Sequence, residues 1–111
     1  MYRFSGTDIE LTRGDSLVFH IRLNGRDLPP GTIALFSVKP NPKAETPTIE
    51  KRIPVSGGVV LIGLSSEDTN VPPRPYCWDL RVMLPLGDGT FEVLTPMEYA
   101  TFQILEVIGN V

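Results

Sequence analysis

The residues able to do chemistry begin with a single histidine, His20, and a single cysteine, Cys77. A nucleophilic cysteine needs a lowered pKa and an oriented base, usually a histidine. No motif places His20 beside Cys77, so Cys77 reads as a small packed side chain and His20 as a hydrogen-bonding residue on the wetter face of a strand. Zinc would need three or four close ligands, and the spacing around His20 supplies none. The carboxylates Asp8, Glu10, Asp15, Asp27, Glu67, Asp68, Asp79, Asp88 and Glu92 are scattered through turns and strands. A glycosidase needs two acids at a controlled separation inside a cleft. A calcium loop needs ligands at alternate positions of a twelve-residue stretch, and no such stretch occurs. Gly57-Gly58 and Gly87-Asp88-Gly89 are turn signals, because neither leads into a helix with a well-placed lysine. The expectation is a non-enzyme with no catalytic residue, no metal and no cofactor.

The elements that must position these side chains are short strands. Eleven prolines and ten glycines divide the chain, and no piece reads as a helix of ten residues or more. Asp8 to Asp15 leads through Gly14, which bends the chain, into Ser16–Leu23. There Leu17, Phe19, Ile21 and Leu23 alternate with Val18, His20 and Arg22, the period of a strand on a core. Further strands are expected over Ile9–Thr12, Thr32–Val38, Thr48–Val55, Val59–Leu64, Tyr76–Leu84, Phe91–Leu94 and Ala100–Val107. Thr48–Val55 reads as an edge strand, joined to Val59–Leu64 as a hairpin through Ser56-Gly57-Gly58, with Glu50-Lys51-Arg52 facing solvent. Ser65 to Asn70 reads as one helical turn capped by Ser65 or Ser66. Tyr76, Trp78, Leu80, Val82 and Leu84 share a core face, and Phe102 and Ile104 supply core positions in the last strand. Leu86 to Thr90 carries the Asp-Gly hairpin signal. Seven or eight short strands with little helix point to an all-β antiparallel sandwich as one domain over 1–111, with a barrel as its rival.

A formal charge of -3 and a pI near 5.0 give no broad attraction to nucleic acid or acidic membranes. The basic residues form no compact run, and no segment approaches the ~20 apolar residues needed to cross a bilayer. The first residues lack the apolar run of a signal peptide, which implies synthesis in a cytoplasm. Candidate partner contacts lie at the start and in the proline-rich loop 39–47, read as an exposed excursion: Tyr2 and Phe4, which either add an edge strand or dock on a partner, and Lys39 and Lys43.

The order of motifs resembles the N-terminal immunoglobulin-like domain of upper baseplate proteins from tailed phages and prophages of Gram-positive bacteria. The matching residues are Thr12-Arg13-Gly14-Asp15 before Leu17–Leu23, then the turn at Ser56-Gly57-Gly58 and Leu64-Ser65-Ser66-Glu67-Asp68-Thr69. Tyr76-Cys77-Trp78-Asp79-Leu80-Arg81-Val82 and the terminal Ala100-Thr101-Phe102-Gln103-Ile104 follow. The resemblance implies an immunoglobulin-like sandwich and a virion component made in a bacterial host. Such a component would bind other tail or baseplate proteins, act as a homo-oligomer within the assembly and carry no active site. It also gives Gly14 the role of shaping the opening turn, and Tyr76 and Trp78 that of anchoring a central strand. A carbohydrate- or peptide-binding sandwich, using Tyr2, Tyr76, Tyr99 or Trp78 as an aromatic platform, is the alternative.

Overall fold

Alternation of apolar and polar residues, interrupted by turn-forming glycines, produces strands in two layers. The computed structural model describes residues 2–23, 28–55, 57–95 and 99–106. Within these residues the chain forms β1 (Tyr2–Ser5), β2 (Asp8–Thr12), β3 (Leu17–Arg22), β4 (Ile33–Lys39), β5 (Ile49–Pro54), β6 (Val59–Leu64), β7 (Arg74–Pro85), β8 (Phe91–Leu94) and β9 (Ala100–Leu105). One layer is a seven-stranded sheet ordered β1-β2-β9-β7-β4-β5, with β8 added to β7; the other is the pair β3-β6. The whole is an all-β sandwich-like globule about 53 × 27 × 23 Å.

The described residues hold nine strands rather than seven or eight, because the Gly6-Thr7 turn folds Tyr2–Ser5 back on β2 as an added edge strand. The sheets are not wholly antiparallel either. β2 runs parallel to β9 from Ile9↔Phe102 to Thr12↔Leu105, and the Arg13 N–H donates to the Leu105 carbonyl at 2.8 Å to extend the pairing.

The hairpin expected between β5 and β6 does not form. β5 pairs with β4 in the large sheet, whereas β6 pairs with β3 from Leu17↔Leu64 to Arg22↔Val59. The Gly57-Gly58 turn therefore crosses between layers, with both glycines at positive φ (62° and 73°), where a side chain would be strained. The Gly58 carbonyl accepts the Leu23 N–H at 2.7 Å, which draws the crossing to the end of β3. Crossing lets Ile49 of β5 and Val60, Ile62 and Leu64 of β6 enter one core. Lys51 also departs from the expected solvent-facing arm. It lies on the inner side of β5, and its ammonium meets Asp68 Oδ2 at 2.9 Å.

The core is built around aromatic rings from both layers. Phe36 and Trp78 lie 5.4 Å apart, and Phe19 of the small sheet meets them edge-on at 6.1 and 6.2 Å. Edge-on rings place the positive rim of one on the negative face of the other, adding to what burial alone supplies. Leu17, Tyr76, Trp78, Leu80, Val82, Phe102 and Ile104 are buried, while Phe19 and Ile21 are half-buried beside the open edge of the small sheet. The indole N–H of Trp78 donates to the Thr7 carbonyl at 3.0 Å, so its polar edge is satisfied inside the core.

Two turns are clamped together where the chain enters and leaves the small sheet. Gly14 takes φ 84° and donates its N–H to the Thr69 carbonyl at 3.3 Å. In return, the buried Thr69 hydroxyl donates to the Asp15 carbonyl at 2.7 Å. Within the second turn the Asp68 N–H donates to Ser65 Oγ, and Asp68 Oδ2 accepts the Ser65 N–H. These reciprocal bonds close the single turn expected over Ser65 to Asn70. Tyr76 then begins the long strand with its hydroxyl donating to the Pro72 carbonyl at 2.6 Å.

Candidate functional site

Strand register decides which polar side chains meet. His20 pairs with Leu61 on the outward side of the small sheet. Cys77 alternates with the buried Trp78 and so faces outward from the large sheet, on the other side of the molecule. The two cannot form a nucleophile–base pair. Burial, the largest influence, pushes the Cys77 thiol up, opposite to what an activated thiolate requires. The thiol instead donates to the Lys39 carbonyl at 3.5 Å. Among the described residues no group of three or more His, Cys, Asp or Glu is placed to hold a metal ion. No helix among them is long and apolar enough to cross a membrane.

The expected contact residues occupy separate places. Tyr2 and Phe4 are 51% and 41% exposed on the edge strand β1. Phe4 is more than a surface ring, since it packs edge-on against Phe19 at 5.4 Å and shields the flank of the core. Lys39 ends the central strand β4, and Lys43 sits in the following loop, where its N–H donates to Asn41 Oδ1 at 3.0 Å. The lysines belong to one surface and the N-terminal aromatics to another.

The richest surface is the outer side of β5, β4 and β7. Register sets Arg52 beside Leu35 and Leu35 beside Arg81, forming one row across the three strands. The next row is Glu50, Ser37 and Asp79. Lys39 and Cys77 follow at one end; at the other, Pro54, Ile33, Met83 and Val93 form an apolar end. Val93 and its neighbour Phe91 are 55% and 49% exposed on the short strand β8. A cleft of about 200 Å³ runs over this face between Leu35, Ser37, Asp79 and Arg81, walled by Glu45 and Pro47 of the loop. A smaller one of about 140 Å³ continues past Cys77 to the exposed ring of Tyr99.

A larger depression of about 530 Å³ lies over β1, β2 and β9, but its polar groups already satisfy one another. Arg3 grips both oxygens of Glu10 at 3.1 and 2.9 Å, and Asp8 Oδ1 accepts the Thr101 N–H at 3.0 Å. By contrast, the side chains of Arg52, Arg81, Glu50 and Asp79 make no hydrogen bond or ion pair with another described residue. Their unspent donors and acceptors set this face apart.

Glu50 and Arg52 face solvent as the sequence leads one to expect, but the sequence does not bring them together with Asp79 and Arg81. The period-two placement of charge in Glu50-Lys51-Arg52 and Asp79-Leu80-Arg81 was visible, but which strands adjoin was not. Only the pairing of β4 with both β5 and β7 converts scattered charges into rows. No protein-family model, no curated protein and no solved structure matches this chain.

Proposed function

We propose that the chain is a non-enzymatic assembly module with an immunoglobulin-like sandwich, working in a phage or prophage tail or baseplate through protein–protein contacts. The outer face of the large sheet carries this reading. It joins exposed or half-exposed apolar residues (Phe91, Val93, Met83, Ile33, Leu35) to unpaired charges across a broad surface. Its clefts are smaller than the 300–1,000 Å³ usual for small-molecule sites. An apolar patch rimmed by polar groups is the composition of a protein interface.

Two features support the finer fold, and two positions depart from it. Lettered as in immunoglobulin domains, β9-β7-β4-β5 corresponds to G-F-C-C′ and β3-β6 to B-E. The Tyr76 hydroxyl bonded to Pro72 corresponds to the tyrosine corner at the start of strand F. Trp78 fills the centre of the core, although from strand F rather than C, and a lone cysteine leaves the sheets without a disulfide between them. The tail setting draws on the order of short motifs from Thr12-Arg13-Gly14-Asp15 to Ala100-Thr101-Phe102.

The test is fractionation of lysate from prophage-induced source cells, with antibody detection of this chain. Co-sedimentation with tails and labelling at their distal end is the expected result. Consistent absence from intact particles, with the soluble protein well expressed, would overturn the tail reading.

Glycan or peptide binding is the second reading, favoured by the 62% exposed ring of Tyr99 beside Asp79, Arg81 and Lys39. Titration with glycans, followed by the NMR signals of the Tyr99 ring, separates the two.

A further inference from the structure

We infer that the outer face of β5, β4 and β7 pairs with the same face of a second copy of this chain. The inference rests on the reading of the protein as an assembly module and names one partner for that module. What points to a second copy is the order of charge along the strands. Arg52 and Arg81 stand in one row, and Glu50 and Asp79 stand in the next. In an antiparallel sheet successive same-face residues lie about 6.8 Å apart, so two parallel bands of opposite sign cross the face.

Such a face is self-complementary under one particular symmetry. A two-fold axis between the copies, perpendicular to the strands and passing between the bands, lays each band over its opposite. Arg52 of one copy then faces Glu50 of the other, and Arg81 faces Asp79. The same operation sets the apolar row of Ile33 and Met83 over Lys39 and Cys77, where the lysine stem and the sulfur offer apolar contact. Both surfaces of a closed dimer must be identical patches, and this pattern meets that condition. Within one copy the four charges have no described ion-pair partner, so association does not first require breaking a contact. A partner of uniform charge would attract one band and repel the other.

Charge exchange in the full chain tests the pairing. Wild type is expected to sediment as a dimer in reversible exchange with monomer, weakening as salt rises. Arg52→Glu with Arg81→Glu makes both bands acidic, and Glu50→Lys with Asp79→Lys makes both bands basic. Each variant alone should lose self-association on the order of 100-fold. Mixed in equal amounts they should form a heterodimer, and the chain bearing all four exchanges should dimerise again. Melting curves establish that each variant is folded, so loss of association is not loss of structure. A wild type that stays monomeric to about 1 mM overturns the inference, that being the weakest association of interest. So does a mixture of folded variants that fails to associate, or a dimer indifferent to the exchanges. Failure on any of these grounds leaves incorporation into tails to be judged by its own fractionation.

Discussion

The hydroxyl of Thr69 donates to the carbonyl of Asp15 at 2.7 Å, joining two turns that are distant in sequence. Gly14 returns the link through its N–H to the Thr69 carbonyl, so the entry to β3 and the exit from β6 are held as one corner. Thr69→Val keeps the shape but removes the buried hydroxyl that donates to the Asp15 carbonyl, and is expected to cost about 1–3 kcal/mol. Thr69→Ser keeps the donor and loses only a methyl group, about 1 kcal/mol. Urea denaturation orders the two, and hydrogen exchange at the Gly14 amide should quicken more in the valine variant. Equal midpoints for wild type and Thr69→Val would show that the Thr69 hydroxyl contributes no stability to the corner.

Trp78 touches Phe19 across the layers and Phe36 within its own sheet, and its indole reaches the Thr7 carbonyl. Trp78→Ala is expected to cost about 3–5 kcal/mol, through lost burial and the cavity left behind. Trp78→Phe should cost less, since it keeps a ring in the core while surrendering the bond to Thr7. As the sole tryptophan, Trp78 reports on itself. Native emission should be blue-shifted and resist acrylamide quenching, with both properties lost at the denaturation midpoint. Emission typical of a water-exposed indole in the native protein would contradict its 3% exposure.

The strands were legible because period two survives in nearly every one of them. Tyr76, Trp78, Leu80, Val82 and Leu84 announce a core face without any knowledge of their neighbours. Sheet membership was not legible. Thr48–Val55 and Val59–Leu64, separated by a glycine turn, carry the local signature of a hairpin, and nothing local distinguishes that from a crossing between layers. The difference is decided at long range, by β4 and β3 offering each strand a better partner. The charge rows were hidden for the same reason, since Arg52, Arg81, Glu50 and Asp79 align only through their shared neighbour β4.

Cys77 offers a test of which way its side chain faces. Burial pushes its thiol up, with Asp79 acting in the same direction, so little thiolate forms at neutral pH. Reaction with a disulfide reagent should be much slower in the native protein than in the unfolded chain at the same pH. Asp79→Asn removes one of the influences that raise the thiol and should speed native labelling modestly. Rapid native labelling at the unfolded rate would mean that the outer face at Lys39 and Cys77 is more open than described.

Asp68 connects the turn after β6 to the large sheet, and its carboxyl gives the fold an acid-sensitive contact. Partial burial, the largest single influence, pushes its pKa up. The Ser65 N–H, the Lys51 ammonium and the Ser65 hydroxyl together outweigh that and hold it below the ordinary 3.8. A folded value below the unfolded one means that the unfolded chain binds protons first as the solution is acidified. The contribution to stability is therefore fully present above about pH 4 and is lost as pH falls through the lower folded value. Asp68→Asn retains an oxygen to accept the Ser65 N–H but removes the charge that meets Lys51. It is expected to cost ~1 kcal/mol at neutral pH. Melting temperatures of wild type and variant, measured from pH 7 down to pH 2, should converge in acid. A gap that stays constant over that range would show that the ionised carboxylate is not what joins β5 to the turn.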